Sequence, residues 1–167
     1  EKVEGFELDN SPFSFMDERL IGEKIAMTTT NGTLSITKSK KNAVKVIVGA
    51  FLNLQAVVNY LKNQPYDVLV LCAGWKGRPN LEDTLFAGAV VDALKEEYFV
   101  AEDAAILAMR AYDASKDNMP LYLSNSSHIR RLQRLGINKD IKYCLQKDLY
   151  DVVPVLRGNE LVPAEPC

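Results

Sequence analysis

Apolar positions along this chain follow two rhythms that alternate. Short apolar runs at Lys24 to Thr29, Ala43 to Ala50 (AVKVIVGA) and Asp67 to Ala73 (DVLVLCA) predict strands. The last two are β-branched and apolar on both faces, as in a buried parallel sheet. Between and beyond them apolar residues recur every three or four positions, which predicts helices over Thr33 to Lys41, Leu52 to Asn63, Leu81 to Glu97 and Ala101 to Ser115. Ser127 to Leu135, ended by Gly136, and Asp140 to Leu149 predict two more. The tail VVPVLR-GN-ELV predicts a hairpin turning at Gly158-Asn159. Strands alternating with helices imply βαβ units, hence a three-layer α/β/α domain with a largely parallel or mixed sheet and a C-terminal hairpin. In such folds ligands bind beyond the carboxyl ends of the strands, so chemistry is expected in the loops that follow them.

Composition narrows the class. The 167 residues suit a single domain, 1–167, with 47% hydrophobic and 25% charged residues. A net charge of −2, with acids and bases mixed, gives no reason to expect nucleic acid or an anionic membrane as partner. No apolar run has bilayer length, and Glu1 to Phe6 carries no leader-like apolar core. Cys72, Cys144 and Cys167 form an odd set without metal-like spacing, which suggests reduced thiols in a cytoplasmic protein. The chain opens without Met, as a processed, cloned or partial product would.

Three loops are candidates for chemistry. Thr28-Thr29-Thr30-Asn31-Gly32-Thr33 follows a predicted strand and precedes a helix. Its hydroxyls, carboxamide and oriented N–H groups suit a phosphate or sulfonate. A turn at Asn31-Gly32 with Thr33 as N-cap is the plainer alternative. Asn53, after the second strand, either points a carboxamide into the same crevice or caps the next helix. The third loop, Cys72 to Asp83 (CAGWKGRPNLED), is the richest. Gly74 and Gly77 let the backbone approach a ligand, and Lys76 and Arg78 can neutralise an anion. Glu82 and Asp83 offer hard oxygen ligands for Mg²⁺. Asn80 and Asp83 also fit a capping box, which needs no ligand.

Cys72 and Arg78 match the Cys-x5-Arg spacing of cysteine-dependent phosphatases, in which a thiolate attacks phosphorus and the Arg holds its oxygens. Leu71 stands where those enzymes carry His, and no Ser or Thr follows Arg78. His128, the one histidine, is a candidate general acid or an ordinary first-turn residue. Arg130, Arg131 and Arg134 behind it read as a solvated face. No Ser–His–Asp pattern and no GxGxxG are present.

GFELDNSP, TTTNGT, GAFLN, CAGWKGRPNLED with AGAVVDAL, and the SSHIRRLQRLGINKDIKYCLQKDLYDVVPVL tail occur in this order. Together they resemble the 2-phosphosulfolactate phosphatases over nearly the whole chain. The resemblance implies a Mg²⁺-dependent α/β phosphatase that hydrolyses 2-phosphosulfolactate to sulfolactate and phosphate, an early step of coenzyme M synthesis in methanogens. It implies a small anionic phosphoester as the partner molecule and is compatible with a homodimer. It places Asn10, Thr28 to Thr33, Asn53, Gly74, Lys76 and Gly77 at the substrate. Cys72, Arg78, Glu82 and Asp83 fall in the catalytic loop, the two acids as metal ligands. Ile129 departs from the family, which places Gly after the His. The family's pattern also opens with a further segment ending in an Asp-x-x-Arg-Ala-Thr-like motif, whereas GFELDNSP falls well inside that pattern. A partial chain or a shortened relative is therefore expected, with a metal ligand and a phosphate clamp lying in the absent segment. A non-catalytic module that binds phosphorylated metabolites is the remaining alternative.

Overall fold

The structure is a computed structural model that describes residues 4–165. Cys167, one of the three thiols considered above, lies outside the described residues, as do Glu1, Lys2 and Val3 of the opening segment. The helices are α1 (Gly32–Ser39), α2 (Leu54–Lys62), α3 (Leu81–Leu94), α4 (Asp103–Asp113), α5 (Met119–Leu123), α6 (Ser127–Arg134) and α7 (Asn138–Cys144). Two strands follow, β1 (Pro154–Arg157) and β2 (Glu160–Pro163). Short 3₁₀ turns precede α1 at Pro12–Phe15 and Glu18–Leu20, and another, Phe51–Asn53, leads into α2. Among the described residues no helix is long and apolar enough to cross a membrane.

Beyond its acidic first turn helix α3 is apolar on nearly every side, Asp92 excepted, and such a helix must be covered all round. Leu85 and Ala89 pack with Phe51, Tyr112, Met119, Leu123 and Ile129. Val90 and Leu94 pack with Val58, and Val70 lies against that cluster. The cover on one side is α4, and the contact is closest at Gly88. A Cβ there would stand 2.0 Å from the Ala108 carbonyl oxygen and 2.8 Å from Tyr112 Cβ. Only glycine lets the two backbones meet at this distance.

The hairpin forms as expected. β1 and β2 pair antiparallel from Pro154 opposite Pro163 to Arg157 opposite Glu160. The Ala43 to Ala50 run lies beside it. The N–H of Val48 donates to Pro154 O (2.9 Å), the N–H of Leu156 donates to Val46 O (2.9 Å), and Ile47 bridges Val155. That pairing is antiparallel. The runs 24–29 and 67–73 form no ladder with another strand among the described residues. Helix and strand combine in one unit, and residues 67–73 keep the mark of a strand. Burial alternates with the period of a strand, with Val68, Val70 and Cys72 turned partly inward. Leu69 (88% exposed) and Leu71 (49% exposed) face outward. The run is apolar on both faces, but only one face meets a packed layer.

The tail holds the start of α2. Asp148 accepts the Gln55 N–H on Oδ1 at 2.6 Å, its own N–H donates to Phe51 O (3.0 Å), and Tyr150 N–H donates to Leu52 O (2.9 Å). Asn53 is buried in the same joint. Its Oδ1 accepts from Ala50 N–H and its Nδ2 donates to Val152 O, both at 2.8 Å.

Gly88→Ala is expected to force α3 and α4 apart and to destabilise the chain by about 3 kcal/mol, the upper end of overpacking costs. Thermal or urea unfolding measures it. An unchanged midpoint would mean that the α3–α4 crossing is loose.

Candidate active site

The loop between Cys72 and α3 is a tight turn. Trp75 and Arg78 exchange backbone hydrogen bonds at 2.9 and 3.0 Å, leaving Lys76 and Gly77 as its two central residues. Both have positive φ, 51° and 71°, the geometry of a type I′ turn. Gly74 also has positive φ (65°), and a Cβ there would lie 2.5 Å from Arg78 O. The turn is tied to the helix that follows, because Gly74 N–H donates to Asp83 Oδ2 at 2.7 Å. The expected capping box is not formed: Asn80 occupies the N-cap position without a side-chain hydrogen bond.

One residue earlier, Glu82 turns into a partly buried cluster. Its Oε1 lies 3.5 Å from His128 Nε2, with side-chain exposures of 23% and 18%. Its Oε2 is buried without a hydrogen-bond partner. Burial raises the Glu82 carboxyl above its usual range, opposed by its own backbone N–H and by His128; Asp83 adds to the rise and Arg131 lowers it. Helix α6 brings His128 here. Ser126 caps it by accepting the Ile129 N–H at 3.4 Å, and Ile129 is buried in the main core cluster. Ile129 is therefore the anchor that turns His128 toward Glu82.

Arg131, one helical turn beyond His128, joins the cluster. Its Nη2 is 3.4 Å from His128 Nδ1, and its guanidinium carbon lies 4.8 Å from the centre of the Trp75 ring. Lys76 Nζ lies 4.6 Å from the same ring centre, and the Trp75 and His128 rings are 6.2 Å apart. Arg131 Nε is buried and unpartnered. Sequence reasoning placed Arg131 on a solvated face with Arg130 and Arg134, and those two are indeed exposed. The spacing of three residues from His128 was the available signal, since residues three apart share a helix face.

The other candidates lie elsewhere or are engaged. Arg78 is exposed. Thr29 Oγ1 accepts the Thr33 N–H at 3.2 Å and Thr33 Oγ1 accepts the Thr29 N–H at 2.9 Å, a reciprocal pair that closes the loop at the start of α1. Asn31, at the N-cap position of α1, makes no side-chain cap. Thr28 and Thr30 are exposed, and a Cβ on Gly32 would meet Thr29 Oγ1. Among the described residues no hydrogen bond, ion pair or ring contact joins Asn10 or Thr28 to Thr33 with the Trp75 cluster. Both ends of the Asn53 carboxamide hold backbone.

This geometry can be set beside known proteins. A family model described as 2-phosphosulpholactate phosphatase matches residues 1–159. The chain belongs to that family. A protein of Thermotoga petrophila named "Probable 2-phosphosulfolactate phosphatase" is 42% identical over 165 residues, covering 99% of this chain and 70% of that protein. One of the same name from Caldanaerobacter subterraneus subsp. tengcongensis is 37% identical over 160 residues, covering 95% of this chain and 66% of that protein. A third, from Trichormus variabilis, is 38% identical and has 65% of its length matched. The chain thus spans about two thirds of the length of these relatives. The family's named activity is that of a phosphoric monoester hydrolase.

Two chemistries were open for such a family member. A thiolate mechanism needs a low thiol pKa and a cradle of free N–H groups. Here burial pushes the Cys72 thiol up, and the Asp83 carboxylate adds to the rise. The Trp75, Arg78 and Gly74 N–H groups are already donated within the loop. The segment from Trp75 to Arg78 is a tight hairpin turn. For Mg²⁺, no group of three or more His, Cys, Asp or Glu is gathered among the described residues. Mg²⁺ keeps most of its waters and is held through one or two carboxylates plus substrate phosphate, so Glu82 and Asp83 fit its needs. Among the described residues Glu82 Oε2 has no hydrogen-bond partner.

With Cys144 and Cys167 replaced by Ser, Cys72 is expected to react with iodoacetamide more slowly than free cysteine at pH 7.5, and faster as pH rises. Cys72→Ser is expected to keep activity. Rapid alkylation at neutral pH with loss of activity would return the thiolate to the mechanism.

Proposed function

We propose that this chain carries the site of a Mg²⁺-dependent phosphomonoesterase that hydrolyses 2-phosphosulfolactate to sulfolactate and phosphate in the cytoplasm. The observation that carries the reading is Glu82: a half-buried carboxylate with one oxygen near His128 and one without a partner, at the first turn of α3. Family membership and the names of the relatives support the same substrate.

Glu82 and Asp83 would hold Mg²⁺, which supplies Lewis acidity at a phosphoryl oxygen when bound. The rest follows from side chains. Water attacks phosphorus as the P–O bond to the sulfolactate carbon skeleton breaks. His128 would give its proton to the departing alkoxide, leaving its contact with Glu82 Oε1 as it does so. The Gly74–Asp83 hydrogen bond keeps the loop fixed to α3, so the groups need no reorganisation when charge moves.

We infer in addition that runs 24–29 and 67–73 are strands of a largely parallel sheet in a three-layer α/β/α domain. The period-two burial of 67–73 and the packing of Val70 toward α3 support it.

The test is phosphate release from 2-phosphosulfolactate. Activity is expected with Mg²⁺, lost in EDTA and restored by Mg²⁺. Glu82→Gln and Asp83→Asn are each expected to lower kcat/KM at least about 10²-fold, and His128→Asn by about 10²- to 10⁴-fold. Full turnover in EDTA would sink the metal role. No turnover on this or other small phosphoesters at any metal concentration would leave a binding module.

A further inference from the structure

Arg131 is a cation without an anion. Among the described residues it makes no ion pair within 4.0 Å, and neither does Lys76. Its guanidinium is nevertheless partly withdrawn from water, stacked on Trp75, with Nε buried and unpartnered. Its one recorded polar contact, Nη2 to His128 Nδ1, is long at 3.4 Å. A buried N–H of a charged group left unpaired is costly, so this arrangement calls for an incoming acceptor. Lys76, reaching the same ring, adds a second positive charge beside it.

We propose that Arg131, with Lys76 beside it on Trp75, is the seat of the substrate's sulfonate, the anion that is not transferred. This rests on the reading of the substrate given above. The matching is chemical. A guanidinium is weakly hydrated, lies flat on aromatic faces and offers several N–H donors in a fixed plane. A sulfonate is a weakly basic monoanion with three oxygens in a fork-like array, and it stays ionised at every working pH. The phosphoryl group is more strongly hydrated and more highly charged, and it goes with the carboxylate-held cation at Glu82 and Asp83. Trp75 is then a platform that holds the Arg131 plane, and the type I′ turn at Lys76-Gly77 is what presents Lys76 to that platform. Arg131 would decide which phosphoesters are substrates; it would not set the rate of P–O cleavage.

Two measurements on the full chain test this. In the first, Arg131→Met and Arg131→Lys are compared with the unaltered protein on 2-phosphosulfolactate and on 2-phospholactate, which lacks the sulfonate. Arg131→Met is expected to lose about 10- to 100-fold in kcat/KM on 2-phosphosulfolactate, mainly through KM. It should change little on 2-phospholactate, and Arg131→Lys should recover part of the loss. Equal losses on both substrates would overturn the proposal, because Arg131 would then serve the phosphoryl group or the fold. The second measurement does not depend on turnover. Trp75 is the one tryptophan in the chain, so its fluorescence reports on this seat alone. Sulfolactate should change it saturably in the unaltered protein, and at least tenfold more weakly in Arg131→Met. If the protein proves inactive on 2-phosphosulfolactate yet Trp75 responds in this way, the substrate reading fails and the sulfonate seat stands. Equal titrations in the unaltered protein and both variants, or no response in any, would reject the seat.

Discussion

Everything in the site depends on α3 being held still, and α3 is held because α4 crosses it at Gly88. A helix apolar on all sides has no orientation of its own; its rotation is set by what packs against it. The approach of the Ala108 carbonyl to Gly88 admits one rotation, since any side chain at that position would collide. With that fixed, Leu85 and Ala89 face the cluster shared with Tyr112 and Ile129, and Val90 faces Val58. Glu82 and Asp83 then inherit their directions from the helix below them. One carboxylate points at the loop and the other at α6, because consecutive helical residues point about 100° apart.

The same core cluster sets the partner helix. Ile129 enters the cluster that holds Leu85, so α6 is keyed to α3 through packing, not through the charged contact itself. The interaction between Glu82 and His128 is therefore a consequence of apolar registration. This order of causes is economical: a partly buried charge pair is a poor source of stability, but a buried Ile beside it is a good one. The position after His128 thus carries a side chain that orients its neighbour.

Much of the helical skeleton was legible because it is written in local periodicity. Helices α2, α3, α4 and α6 fall within the predicted ranges, each shorter by a few residues at its ends, where fraying decides. The short α5 at Met119–Leu123 was not predicted, since five residues with a Pro in the first turn give no period to detect. Strand pairing was not legible in the same way. The Ala43 to Ala50 run was recognisable as apolar, but its antiparallel partner β1 lies more than a hundred residues away, and the run itself carries no sign of direction. In the site, Glu82, Asp83 and Lys76 could be singled out because loop chemistry is concentrated in a short stretch. Arg131 could not, because its neighbours Arg130 and Arg134 are exposed as their composition suggests. What separates Arg131 from them is an aromatic ring more than fifty residues away.

Among the described residues two polar atoms in this cluster are buried without hydrogen-bond partners, Glu82 Oε2 and Arg131 Nε, and they belong to groups of opposite charge. Each such atom costs about 1–3 kcal/mol, and a chain under selection for stability alone would pair them with each other or replace them by apolar groups. Neither has happened, although each influences the other, since Arg131 lowers the Glu82 carboxyl. His128 stands between them, touching the carboxylate through Nε2 and the guanidinium through Nδ1. No ion pair between the carboxylate and the guanidinium is formed within 4.0 Å among the described residues. A cation and an anion held apart in this way are two half-sites, one short of a positive partner and the other short of a negative one.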